Sequence, residues 1–288
     1  MMTDSLVLGT RGSKLALTQS QLVADAVTAL TGMKVELQII STKGDRIQDR
    51  PLPEIGGKGL FTLELEQALR GGGIDFAVHS LKDLPTDDPA GLTLGAIPAR
   101  VDPRDAIVGL PIADLQHGAR IGSGSLRRRL QLLHLRPDLS VLDIRGNVQT
   151  RLKKRDDGQF DSTILAMAGL LRLGIVREDI FPIDVDDMVP AVGQGALGVQ
   201  CRVDDPIVGP VMAAIDHRPT REAVSGERAF LAAFGGGCNV PAGCFIEEVP
   251  EGFKLRAVVA GEGGDVRRIE TVGADPVALG LAAAEALS

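Results

Sequence analysis

A pattern of short apolar run, polar or glycine-bearing loop and helix recurs through residue 173, and it leaves few folds open. Residues 6–9 read as a strand, 10–13 as a polar loop, and 14–30 carry helical apolar spacing with Ser13 as a candidate N-cap. A strand at 35–40, a helix at 60–69 and a strand at 74–78 follow, the last after the breaker Gly71-Gly72-Gly73. The pattern restarts with a strand at 119–123 and a helix ending near 135. A strand at 141–144 then runs into Arg145-Gly146-Asn147, with Asn147 placed to cap the next helix. A strand at 163–166 and a helix at 169–173 complete the series. Such alternation predicts α/β architecture built from parallel βαβ units. At 288 residues the chain exceeds the ~250 at which a single core stops growing, so several domains are expected. We expect a first domain at 1–97 with 195–215 and a second at 98–194. The seam lies at 96–103, where Pro98 and Pro103 break the apolar pattern. Residues 216–288 read differently: a helix at 222–234, strands at 254–260 and 267–272, and an alanine-rich helix at 276–287, a small α+β domain.

Composition narrows the function classes. Net charge is −7, which argues against a nucleic-acid binder. No apolar stretch approaches the ~20 residues of a membrane span, and the N-terminal residues carry no signal-peptide pattern. Cys201, Cys238 and Cys244 form neither a Cys-x-x-Cys pair nor a zinc pattern, and the histidines are scattered. The expectation is a cytoplasmic protein without metal, and a monomer. Residues 120–155 nevertheless hold ten basic residues against Asp138 and Asp143. An acidic chain that gathers arginines locally points to a small polyanionic ligand, because guanidinium pairs with carboxylate in a bidentate fork. Lys153, Lys154 and Arg155 are read instead as a solvated helix face.

The segment Ile74-Asp75-Phe76-Ala77-Val78-His79-Ser80-Leu81-Lys82-Asp83-Leu84-Pro85 concentrates chemistry at a strand end, where open α/β sheets place ligands. Alternation along an extended chain sends Ser80 and Lys82 to one side and Asp83 to the other. Three helices begin just after loops suited to an anion: Thr10-Arg11-Gly12-Ser13, Ser123-Gly124-Ser125 and Arg145-Gly146-Asn147. Each has an arginine in or beside it, namely Arg11, then Arg127 with Arg128, then Arg145. Two other motifs mislead. Gly193-Gln194-Gly195-Ala196-Leu197-Gly198 matches the dinucleotide fingerprint by letter, but it neither follows a strand nor opens a helix. It reads as a hinge that returns the chain to the first domain. Gly56-Gly57-Lys58-Gly59 lacks the ending of a phosphate loop and reads as a mobile loop with Lys58 available to a bound anion.

Gly235-Gly236-Gly237-Cys238-Asn239-Val240-Pro241 clears side chains from around one sulfur. A structural cysteine needs no such clearing, so Cys238 reads as a nucleophile or an attachment point, whereas Cys201 reads as structural. Together with the segments 79–85, 124–128 and 142–147, this run resembles the porphobilinogen deaminase family, also called hydroxymethylbilane synthases. Residues 10–13, 56–61 and 190–195 agree with it, so the resemblance runs in order from about residue 6 to 245.

The resemblance implies two domains like those of type II periplasmic binding proteins, with a cleft between them, and a third domain carrying the cysteine. It implies a covalent dipyrromethane cofactor held by a thioether at Cys238, with porphobilinogen as substrate and hydroxymethylbilane as product. Asp83 matches the family's catalytic aspartate. Arg11, Ser13, Ser80, Lys82, Arg127, Arg128, Arg145, Arg151 and Arg172 match residues that contact cofactor or substrate. Ser123, Ser125 and Gln194 lie in matching motifs and are expected to join them. The chain departs from the pattern at Gly124 and Glu54, which stand where some relatives carry Ser and Lys, and its third domain ends early. The rival reading is a two-lobed anion-binding or ligand-sensing module without catalysis.

Overall fold

The structure is a computed structural model that describes residues 5–46, 62–235, 241–261 and 265–288. Its strands and helices in chain order are β1 (Ser5–Thr10), α1 (Lys14–Thr31), β2 (Lys34–Ile39), α2 (Lys43–Arg46), α3 (Leu63–Arg70), β3 (Phe76–Ser80) and β4 (Leu92–Ala96). Then come β5 (Asp105–Val108), β6 (Arg120–Gly122), α4 (Leu126–Leu135), β7 (Ser140–Leu142), α5 (Val148–Asp156), β8 (Ser162–Ala166), α6 (Met167–Arg172) and β9 (Ile180–Pro182). The remainder is β10 (Leu197–Arg202), α7 (Val208–Ile215), α8 (Arg218–Ala233), β11 (Ala242–Val249), β12 (Gly252–Ala260), β13 (Val266–Gly273) and α9 (Pro276–Leu287).

Two compact units result. The first runs to Arg100 and resumes over Ala196–Glu222. Its sheet has the order β2-β1-β3-β10-β4. Leu8, Val27, Phe76 and Val199 are fully buried at its centre, where the strands meet α1 and α7. The Ser13 hydroxyl accepts from the Ala16 N–H at 3.2 Å and so starts α1 as the sequence predicts. β1 pairs parallel with β2 and β3, but β10 is antiparallel to both β3 and β4. The antiparallel β10 is thus added to the parallel βαβ units that the sequence predicts. The chain re-enters this unit from a distant point, so no helical crossover dictates the direction of β10.

The second unit contains Val101–Gly195, the chain from Ala223 to Gly235, and the C-terminal sheet. Its larger sheet has the order β7-β6-β8-β5-β9, again mixed, because β5 is antiparallel to β8 and β9. The glycine-rich 193–198 segment leads into a strand, not a helix, as its context predicts. Gly195 has φ +88, and a Cβ there would stand 2.6 Å from the Val101 carbonyl oxygen. Only glycine lets the outgoing and returning segments pass so closely.

The antiparallel sheet β11-β12-β13 builds a core of its own with α8 and α9, around Phe230, Cys244, Leu255 and Ala283. Cys244 lies inside β11 and is fully buried. At the crossing of α8 and α9 the backbones touch. A Cβ on Gly226 would lie 2.6 Å from the Pro276 carbonyl carbon, and one on Gly280 would lie 3.0 Å from that of Gly226. Arg268 ties the sheet to the loop before residue 190, donating to the Asp187 carbonyl at 2.6 Å and to Gln131 at 3.0 Å. Arg256 pairs with Asp186 and Glu247 in the same region.

Candidate active site

In the first unit, the ends of β1 and β3 and the start of α1 surround a cavity of about 90 Å³. Arg11, Ser13 and Gln19 line it from one side of the sequence, and His79, Ser80 and Asp83 from the other. Thr62 completes the polar lining. The Gln19 amide donates to the Ser80 hydroxyl at 2.9 Å, and the Ser20 hydroxyl donates to Thr10 at 2.7 Å, so the floor is cross-linked by hydrogen bonds. Ser80 and Asp83 share this cavity, which corrects the expectation of opposite sides. Residues 81–83 form a 3₁₀ turn, and the twofold alternation of a strand stops at Ser80. Leu81 fills the core behind the turn while Asp83 stays exposed. Lys82 sits half-buried in the same turn.

His79 is buried, and burial pushes its imidazole down to about 4, with Gln200 opposing the shift and Arg11 adding to it. The ring is therefore neutral at physiological pH. Gln19, Thr62 and His79 were not among the residues singled out from sequence. For His79 the available signal is a histidine in an otherwise apolar strand.

The second unit collects the arginines. Arg127 and Arg128 lie in the first turn of α4, each 6 % exposed, and both grip the carboxylate of Asp105. The distances are 2.8 Å from Arg127 Nη2 and 2.7 Å from Arg128 Nη2. The remaining donors reach carbonyls, Arg127 to Val189 at 2.6 Å and Arg128 to Ile164 at 3.1 Å. The Gln194 amide donates to Asp105 as well, at 2.8 Å. Burial alone would raise the Asp105 carboxyl, but the two guanidiniums and the Gln194 hydrogen bond hold it well below the usual range. Asp105 was also missed from sequence. Its one signal is an acid opening an apolar strand in an arginine-rich domain.

Next to this node, Ser125 caps α4 and its N–H donates to the Ser123 hydroxyl at 3.3 Å. A Cβ at Gly124 would stand 3.0 Å from the Ile144 carbonyl oxygen, so a serine there would require that loop to shift. Asn147 caps α5, accepting from Thr150 at 2.9 Å as predicted. Arg151 donates to the Gly146 carbonyl at 2.8 Å, and Arg145 pairs with Asp143 at 3.2 Å. Burial lowers the Arg151 guanidinium, and the nearby charges of Arg128 and Arg145 lower it further. Arg128 is already paired with Asp105 and Arg145 with Asp143, and the Asp143 charge opposes the shift. Arg172 donates to the Gly195 carbonyl at 2.8 Å, and burial brings its guanidinium down to about 10. Its Nε is buried with no hydrogen-bond partner. Lys153 is exposed as expected, but Lys154 is half-buried and donates to the Arg145 carbonyl at 3.2 Å, and Arg155 is not part of a solvated face either. It is half-buried and pairs with Asp179 at 2.8 Å. Lys58, Cys238 and Glu54 lie outside the described residues.

Among the described residues, no helix is long and apolar enough to cross a membrane, and no group of three His, Cys, Asp or Glu side chains could hold a metal ion.

Comparison with known proteins adds an independent line. A family model described as "Porphobilinogen deaminase, dipyromethane cofactor binding domain" matches residues 6–209, and the family's C-terminal domain model matches residues 222–288. The chain is similar to the porphobilinogen deaminase of Roseiflexus sp. strain RS-1, 49 % identical over 99 % of this chain and 96 % of that one. It is similar also to that of Nitratidesulfovibrio vulgaris strain Hildenborough, 47 % identical over 96 % of this chain and 90 % of the relative. Among solved structures, the methionine binding protein MetQ aligns with a TM-score of 0.47 and 14 % identity, covering 78 % of this chain and 95 % of that chain. Matches of this identity, over nearly the whole length of both chains, place the protein in the porphobilinogen deaminase family.

Proposed function

We propose that this chain condenses four porphobilinogen molecules head to tail and releases linear hydroxymethylbilane. The balance is four ammonia molecules lost and one water gained. The observation that carries the reading is the cavity that brings Arg11, two serines and the carboxylate of Asp83 together at the ends of β1 and β3. Porphobilinogen is a pyrrole with an acetate and a propionate, so a growing chain of such rings is a polyanion. Arg11, Arg145, Arg151 and Arg172 suit its carboxylates, because charge-assisted hydrogen bonds contribute roughly 1.5–3 kcal/mol each. Ser13, Ser80, Ser123 and Ser125 supply neutral donors, and Lys82 and Lys58 further cations. Loss of ammonia leaves positive charge on the substrate pyrrole. The Asp83 carboxylate offsets that charge and accepts the pyrrole proton through the turn that presents it. The neutral His79 behind the cavity adds no competing positive charge.

The arginines and hydroxyls within each unit fit the carboxylates of a dipyrromethane. When bound through the Cys238 sulfur, it supplies the primer pyrrole from which the product grows. Buried Cys201 and Cys244, with no disulfide between them, fit a reducing compartment, and we assign the protein to the cytoplasm as a monomer.

Intact-mass spectrometry tests the reading. One dipyrromethane adduct is expected on the wild-type protein, Cys201→Ser and Cys244→Ser, and none on Cys238→Ser. An unmodified wild-type protein that consumes porphobilinogen at full rate would refute the cofactor assignment. An adduct on another cysteine would move the site.

A further inference from the structure

Thr62 occupies the N-cap position of α3, where a threonine ordinarily accepts a hydrogen bond from the first turn. It does not do so here. Its backbone is at φ −120 and ψ −27, and no side-chain cap is formed. The residue is 3 % exposed, and its hydroxyl oxygen is buried with no hydrogen-bond partner. An unmade hydrogen bond of this kind is costly, and native structures retain one where a ligand completes it. Thr62 lines the cavity that holds Arg11, Ser13, Ser80 and Asp83. A hydroxyl that forms no cap and is buried in the wall of a cavity shared with Arg11 is a donor that lacks an acceptor, and a ligand carboxylate beside Arg11 would supply one.

We propose that Thr62 is a substrate-contacting specificity residue whose hydroxyl donates a hydrogen bond to a carboxylate of a bound pyrrole. The assignment rests on the pyrrole chemistry above. A cap would use a lone pair and hold the oxygen over the first turn of α3, whereas the uncapped hydroxyl is oriented by no bond of its own helix. Donation to the carboxylate leaves Arg11 to balance its charge, so the pair would recognise both the geometry and the sign of the ligand.

Wild-type protein, Thr62→Val and Thr62→Ser separate this role from a structural one. Valine keeps the shape and removes the donor, so the KM for porphobilinogen should rise roughly 5- to 20-fold. Serine should restore it to within about 2-fold of wild type. The thermal midpoint without substrate should not fall in Thr62→Val, because an unpaired buried hydroxyl has been replaced by a methyl group. If the carboxylate belongs to the covalent dipyrromethane, the KM stays constant and intact-mass spectrometry instead shows incomplete loading of Thr62→Val. Either of these two results supports the proposal and names the ring involved. Wild-type KM together with wild-type loading in Thr62→Val overturns it, as does a lowered thermal midpoint with a defect that serine does not repair. Wild-type protein that consumes no porphobilinogen overturns the functional reading and the proposal together, whereas normal wild-type turnover with an indifferent Thr62→Val overturns the proposal alone.

Discussion

The cavity of the first unit and the arginine cluster of the second both collect polar groups around the ends of strands, but they balance charge in opposite ways. Asp105 neutralises one of the two guanidiniums that grip it, and it is fully buried. Asp83 is exposed in a tight turn, and the cavity it shares retains a hydroxyl without a partner. One carboxylate is thus committed to the fold, and the other stands exposed at a cavity. Two aspartates in one chain acquire different roles through burial and partners alone, which residue type does not reveal.

Removing the committed carboxylate should have the larger effect. Asp105→Ala would leave two buried guanidiniums facing one another, and loss of one partner from a buried pair costs about 3–5 kcal/mol. Denaturant unfolding measures this directly. Loss of turnover with unchanged stability would break the comparison, because Asp105 would then serve the ligand and not the fold.

The buried histidine should give the next effect. Its imidazole takes a proton near 6.5 when unfolded and only near 4 when folded. Its contribution is therefore complete above pH 6.5 and is lost as pH falls from 6.5 towards 4, by about 3 kcal/mol at 1.36 kcal/mol per unit. Asp105 titrates below this window, so the two are separable. Stability measured across it should slope less in His79→Gln, and an equal slope in both proteins would remove the histidine from the account.

Asp83→Asn preserves size and hydrogen bonding but removes the charge available to a cationic pyrrole. A loss in kcat of about 10²-fold is expected, with unfolding behaviour unchanged. Near-normal turnover of porphobilinogen would sink the catalytic assignment and make Asp83 a surface residue of the turn.

Local signals carried much of this structure. The caps at Ser13 and Asn147 and the helix Pro276–Leu287 are set by short-range spacing and hydrogen bonding, and they appear where the sequence places them. The direction of β10 and β5 is not local. It depends on strands more than a hundred residues away in the first case and more than fifty in the second. The short strands β4, β5 and β9, the strand β11 and helix α7 lacked a periodic signature strong enough to read. Site residues divide along the same line. Arg11, Ser13, Ser80 and Asp83 fall in two compact motifs that the fold brings to one cavity. Asp105 meets Arg128 across 23 positions of sequence, and Thr62 matters because of a bond it does not make, neither of which composition or spacing encodes.

The crossing of α8 and α9 bears on heritable variation. Every missense change of a glycine codon adds at least a Cβ, and positions 226 and 280 have backbone where that atom would go. No conservative allele exists at either position: alanine, the mildest replacement, already forces the helices apart. Viable lineages should therefore diverge around this pair while keeping both glycines, however freely the exposed face of the same helices drifts.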